Sequence, residues 1–242
     1  MIEVIKKGIK KVIFTFIKPP LEYVKNSYAQ AGEDVIMQFL FYGKHIKHPS
    51  YLELGVYLPD SHNNTYLFYR NGSRGVCVEA DETLIDNIKA VRKEDTVLNV
   101  GVGFSDDAYA DFYIFNDAAL NTFNKEEAEF RERHGTHKIE KVAKVQIKSI
   151  NSILRENFPN YPHILSIDIE GLDLEVLKTL DFTSFPIPVI CVETCIYSEN
   201  HIKPKNTDIA HFMISKGYFM YADTYINTIF VKQDWFYETD AK

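Results

Sequence analysis

No run of about 18 apolar residues occurs in the 242-residue chain, so the sequence predicts no membrane-spanning helix. A basic surplus is missing as well: 27 Lys and Arg stand against 34 Asp and Glu, a net charge of −7. A nucleic-acid binder needs a basic footprint to neutralise phosphates, so nucleic acid is not expected as a partner. Cysteine is scarce, with Cys77, Cys191 and Cys195 alone. Two of them lie in apolar, strand-like runs, which reads as buried thiols of a reducing compartment rather than disulfides or a zinc site. Glycine is missing where a dinucleotide would need it. After Gly55 come Val56, Tyr57, Leu58 and Pro59, without the second and third glycines that accommodate a pyrophosphate. A secretory leader is not expected either, because lysines interrupt the first apolar stretch and no small-residue cleavage site follows.

What is present begins with Met1–Lys18, where Ile2, Ile5, Ile9, Val12, Ile13, Phe16 and Ile17 recur at helical spacing among five lysines. Two readings stand. One is an amphipathic helix packed on the domain or on a second subunit of a homodimer. The other is a basic helix in peripheral contact with an anionic membrane surface. Pro19-Pro20 closes the segment, so residues 1–27 are expected to be a helix and linker, and 28–242 the main domain. Length and composition allow one sizeable core.

From residue 28 an αβ rhythm is expected: helix 34–42, strand 51–55, helix 63–69, strand 75–79, helix 83–92 and strand 96–100. An interruption follows, with an extra strand at 110–115, a charge-rich helix or loop at 124–137 and a strand at 142–147. Then come helix 150–157, strand 163–169, helix 173–179, strand 188–193, helix 206–216 and two strands, 218–222 and 227–232. Alternation of this kind implies a parallel sheet with helices on both faces, closed by an antiparallel hairpin. The expected fold class is α/β, a Rossmann-like class I methyltransferase sheet.

The stretch Tyr51–Asp81 carries the first chemistry. One strand ends at Gly55 and the next at Glu79, 24 residues on, close to the spacing of a strand, a crossover helix and a second strand. A glycine permits close backbone approach, and an acid can hold both ribose hydroxyls. With adenosine indicated and a diphosphate excluded, S-adenosylmethionine (SAM) is the cofactor that fits. In open parallel sheets ligands bind outside the carboxyl ends of strands. The polar residues there are Glu53, Glu79, Asn99, Asp168, Glu170 and Glu193. Each acid alone reads equally as a helix cap or a solvated loop residue. Together they suit a cationic sulfonium cofactor, and also a divalent metal held by Asp168, Glu170 and Glu193.

Three motifs in order make the resemblance specific. YLELGVYLPDSHNNTYLFYRNGSRGVCVEAD (Tyr51–Asp81) resembles the first cofactor motif of the FkbM family of SAM-dependent methyltransferases. Its parts are Glu53 and Gly55, Asn64-Thr65-Tyr66, Gly72 to Gly75, and Glu79. Upstream, Gln30-Ala31-Gly32-Glu33-Asp34 resembles the family's opening. Downstream, Leu165–Phe182 resembles its Asp-x-Glu-Gly signature. One departure is Ser73, at a turn position where tryptophan often stands.

The resemblance implies SAM contacts from Glu53, Gly55, Asn64, Thr65, Glu79, Ala80, Gly101 and Asp168. Glu79 would take the ribose, Glu53 and Gly55 the methionine portion, and Gly101 the edge of the adenine. Methyl transfer to oxygen needs a base, or a metal that lowers the hydroxyl pKa. Asp168, Glu170 and His62 are the catalytic candidates. Tyr57, Asn121 and Tyr197 are candidate acceptor contacts, His134 and His137 candidate lid residues, and His163 a structural residue. Glu33 and Asp34 are expected to begin a helix covering the cofactor. The expected activity is O-methylation of a sugar hydroxyl, on a nucleotide-linked sugar or a surface polysaccharide. Methylation of an amine, acid or nucleotide-like group is a second enzymatic reading. A non-catalytic SAM- or partner-binding module of a glycan-assembly complex is the rival. The expected location is the cytoplasm, at the inner membrane face if the N-terminal helix lies on lipid.

Overall fold

The computed structural model describes residues 25–106, 108–196 and 205–238. The N-terminal helix expected from Met1–Lys18 and the candidate contact Tyr197 therefore lie outside the described residues. Helix α1 (Glu33–Gly43) leads into β1 (Tyr51–Leu54), α2 (Tyr66–Arg70), β2 (Gly75–Glu79), α3 (Ile85–Val91) and β3 (Thr96–Asn99). A separate group follows: β4 (Gly101–Gly103), β5 (Ala108–Phe115), α4 (Lys125–His134) and β6 (Ile139–Ser149). The chain then returns through α5 (Ile150–Asn157), β7 (Ile164–Ile167), α6 (Asp173–Thr179), β8 (Val189–Glu193) and α7 (Thr207–Ser215). Strands β9 (Tyr218–Asp223) and β10 (Asn227–Lys232) and helix α8 (Gln233–Tyr237) close it.

The main sheet has seven strands in the order β3-β2-β1-β7-β8-β10-β9. Pairings from β3 through β8 are parallel, and β10 is antiparallel to both β8 and β9. The order reverses between β1 and β7, and that switch point is where a doubly wound sheet opens its ligand crevice. This is the class I methyltransferase arrangement.

Strands β1 and β7 are buried along their whole length because helices cover both faces. Side chains alternate between those faces. Leu52 and Leu54 join Leu165 and Ile167 in one core cluster, while Tyr51 joins Ile164 in another with Met37 and Phe41 of α1. Glu53 therefore shares the face of Tyr51, a placement that decides its role.

The interrupted third unit departs from the expected pattern. The strand expected at 96–100 stops at Asn99, and the chain passes into β4, which belongs to a second, three-stranded sheet in the order β4-β6-β5. Gly101 and Gly103 allow the crossing, since a Cβ on either would lie under 3.0 Å from Ile147 or Phe123. The charge-rich stretch is helical from Lys125, capped by the Asn124 side chain, and buries Ala128 and Arg131. The expected helix at 63–69 begins only at Tyr66, because Asn63 Oδ1 accepts from the backbone N–H of Thr65 and Tyr66 and holds a turn there. Among the described residues no helix is long and apolar enough to cross a membrane.

Candidate active site

At the carboxyl ends of β1, β2 and β7 lies a cavity of about 380 Å³. Its floor is set by glycine. Gly55 has φ +80°, and a Cβ there would stand 1.8 Å from the carbonyl oxygen of Asp168. Only glycine lets the ends of β1 and β7 converge this closely. The carbonyl oxygen and Gly55 thus form one wall, with Val56 and Tyr57 continuing it.

Glu79 forms the β2 side of the cavity and is nearly buried. Its Oε2 accepts the Tyr57 N–H at 2.9 Å and its Oε1 accepts the Asp81 N–H at 2.8 Å. Burial pushes its pKa up, and those two backbone donors oppose the shift. Each carboxylate oxygen keeps acceptor capacity toward the cavity. Asn99 fixes the strand end by donating from Nδ2 to the carbonyls of Glu79 and Ala80.

Next to Glu79 the second sheet folds over the cavity. The Phe123 ring sits where a side chain on Gly101 would go, and Phe112 packs against it at a ring separation of 4.5 Å. Asn121 donates to Asp81 Oδ2 at 2.9 Å, and Asp117 caps a short turn at Ala118–Leu120 that also lines the cavity. Phe112, Phe123 and Asp117 were not foreseen. They reach the cavity only because β5 and β6 fold back as a separate sheet, which no local pattern announces.

The β7 side carries the acids. Ligand oxygens of Asp168, Glu170 and Glu193 lie within 4.8 Å of one another, so the structure brings this expected trio together. Burial lifts the Asp168 carboxyl well above the usual carboxylate range, and Glu170 and Asp173 push it further. Asp168 and Glu193 share a hydrogen bond. Glu170 has φ 53°, a left-handed conformation rare for a side-chain-bearing residue. It is held there from α4 and the loop before it. Thr122 Oγ1 donates to its carbonyl at 2.8 Å, and Arg131 Nη2 donates to Oε2 at 2.8 Å. Tyr57 and His62, also cavity residues, share this conformation with φ of 50° and 51°. Strained backbone of this kind clusters at functional sites.

Three expected cofactor contacts lie elsewhere. Glu53, Asn64 and Thr65 are buried and do not line the cavity. Glu53 Oε2 accepts from Thr65 Oγ1 at 2.8 Å and from Asn63 Nδ2 at 3.1 Å, and the Arg92 guanidinium stands 3.9 Å away. Asn64 donates to Ser166 Oγ at 3.2 Å. His163 is at the opposite end of β7, where its Nδ1 accepts the Ser50 N–H at 3.1 Å. His134 and His137 are outside the cavity lining, whereas Asn121 is within it.

The residues present fit an adenosine sulfonium. An acid at one end suits the ribose, aromatic rings beside Gly101 suit a flat base, and carboxylates at the other end suit a cationic sulfur and amine. The acid trio also has the hard-oxygen character that a divalent cation takes.

A family model described as the methyltransferase FkbM domain matches residues 45–220. No curated protein matches the chain. Among solved structures, an O-methyltransferase from Bacillus cereus in complex with SAH is 12% identical, with a TM-score of 0.40 and coverage of 93% of this chain and 97% of that one. A TehB-like SAM-dependent methyltransferase from Corynebacterium glutamicum is 8% identical, with a TM-score of 0.38 and coverage of 96% and 97%. Magnesium protoporphyrin IX methyltransferase from Synechocystis, with bound SAM, is 8% identical, with a TM-score of 0.37 and coverage of 93% and 91%. At such scores the fold is read from the strand order, not from these neighbours.

Proposed function

Because the chain belongs to the FkbM methyltransferase family, we propose that it transfers the methyl group of SAM to a hydroxyl oxygen of a sugar. The observation that carries this reading is one cavity lined by two chemically different sets of residues, Glu79 and Gly101 in one and Asp168 and Glu170 in the other, with Glu193 close beside the second pair. When bound, SAM supplies an electrophilic methyl carbon on a positively charged sulfur. Glu79 would hold its ribose, and Phe112 and Phe123 would border its base.

Bound SAM would supply the methyl group for the acceptor oxygen and be left as S-adenosylhomocysteine (SAH), while the chain's own residues would hold the hydroxyl and take its proton. The hydroxyl proton passes to a carboxylate. Asp168 suits that task best, because it lines the cavity directly after the end of β7, where ligands of such a sheet bind. Glu170 is engaged by Arg131, and His62 is exposed at the rim. A divalent cation on Asp168, Glu170 and Glu193 would instead lower the hydroxyl pKa. The basic stretch Met1–Lys18 supports acceptors held at an anionic membrane surface, such as lipid-linked or surface glycans.

SAH release with a panel of nucleotide sugars and glycosides, with magnesium, manganese or a chelator, tests the reading. Turnover with at least one sugar is expected. A tight SAM complex that turns over no acceptor would favour the non-catalytic module. If the chelator leaves turnover untouched, the metal is removed from the account and Asp168 stays as base. Glu79→Ala should weaken SAM binding by about 1.5–3 kcal/mol for each charged hydrogen bond lost. Calorimetry giving an unchanged SAM affinity would exclude the ribose role.

A further inference from the structure

Two carboxylates with no part in methyl transfer are fully buried: Glu33 and Asp34, each 0% exposed in the first turn of α1. Burying an acid is costly unless its oxygens are satisfied, and here they are satisfied by one short segment and its anchors. Asp34 accepts from Ser27 Oγ at 2.6 Å and from the Tyr28 N–H at 2.7 Å. Glu33 Oε2 accepts the Ala31 N–H at 2.9 Å. Its Oε1 accepts from Thr224 Oγ1 at 2.5 Å and Asn227 Nδ2 at 3.1 Å, both beside the β9–β10 turn. Asn227 is the register partner of Glu193. On the other side, the Tyr28 carbonyl accepts the Asn63 N–H at 2.9 Å, next to His62. Residues 27–32 are therefore a strap pinned at both ends beside the cavity.

Of the strap's residues only Gln30, itself exposed, lines the cavity. Its carboxamide makes no hydrogen bond among the described residues, although the backbone on either side is fixed. The strand order places the strap's anchor on β10 away from β2 and Glu79, at the end with Asp168 and Glu193. That end is otherwise acidic. An anionic group would be repelled there, and a cationic one would pair with acids without needing an amide. A carboxamide both donates and accepts without charge, which complements a neutral hydroxyl.

We propose that Gln30 is a specificity-determining contact to a neutral ring hydroxyl of the acceptor, and that Glu33 and Asp34 are positioning residues acting through the strap. The inference rests on the methyltransferase reading of the cavity. It is tested on the full chain saturated with SAH, by titrating a panel of neutral methyl glycosides into wild type, Gln30→Ala, Thr224→Val and Thr224→Ser. At least one glycoside should bind wild type, and Gln30→Ala should weaken it about 3- to 10-fold, the loss of one neutral hydrogen bond. SAH affinity should not change. Thr224→Val, which removes an anchor of Glu33 far from the acceptor, should reproduce part of the loss, and Thr224→Ser should restore it. A general loss of folding would move SAH affinity too. Equal glycoside affinity in Gln30→Ala, or no glycoside binding to the wild-type SAH complex, overturns the proposal. Failure of SAH itself to bind would overturn the underlying reading instead.

Discussion

Replacing Arg92 by leucine is expected to destabilise the fold by about 3–5 kcal/mol, the cost of breaking a buried ion pair from one side. Arg92 is completely buried. Its Nε donates to Asp95 at 2.8 Å, Nη2 to Thr65 Oγ1 at 2.7 Å, and Nη1 to the Pro59 carbonyl at 3.1 Å and Asn63 Oδ1 at 3.2 Å. The rings of Tyr51, Tyr66 and Tyr69 surround the guanidinium at 5.0–5.7 Å. Burial opposes its charge, and the groups around it, Cys77, Glu53, Tyr51 and Asp95, more than offset that effect. Leucine would leave Asp95 and Glu53 buried without their cation. Two of the lost bonds hold the loop from Tyr57 to Asn63, so the cavity wall should loosen as well. Urea unfolding should show a lower midpoint with an unchanged slope. A loss under about 1 kcal/mol would mean that the network contributes little.

The second large effect concerns chemistry. Asp168→Asn keeps the size of the side chain and removes the base, so turnover should fall about 10²- to 10⁴-fold. SAM affinity should fall by no more than about tenfold, because the Gly55 approach involves the Asp168 backbone and Glu170 and Glu193 still offer carboxylates to the cation. Glu170→Gln separates a second role. Its Oε2 meets Arg131 from α4, so the expected loss there is smaller and accompanied by a looser second sheet. Unchanged turnover in Asp168→Asn would pass the base to Glu170 or His62.

The acids show how far the sequence could be read. Glu79 and Glu193 close β2 and β8, and Asp168 and Glu170 follow β7 directly; all four are legible in the sequence because strand boundaries and the Asp-Ile-Glu-Gly turn are local features. Glu53 was placed at a strand end too, yet which face it points to depends on Arg92, contributed by the end of α3. A strand buried on both faces has no polar alternation to reveal that choice. Gln30 sits in a recognisable motif, but its access to the cavity comes from Thr224 and Asn227, nearly two hundred residues away. The second sheet was read only as an interruption, because β4 is three residues long and pairs with a strand far along the chain.

The most direct test of the central claim is to supply SAM labelled with carbon-13 in its methyl group, together with the sugar panel, and locate the label by NMR. A methyl carbon on oxygen, appearing in step with SAH and far more slowly with Asp168→Asn, is the predicted result. Label that stays on SAM with every acceptor, or that appears on nitrogen, would contradict it.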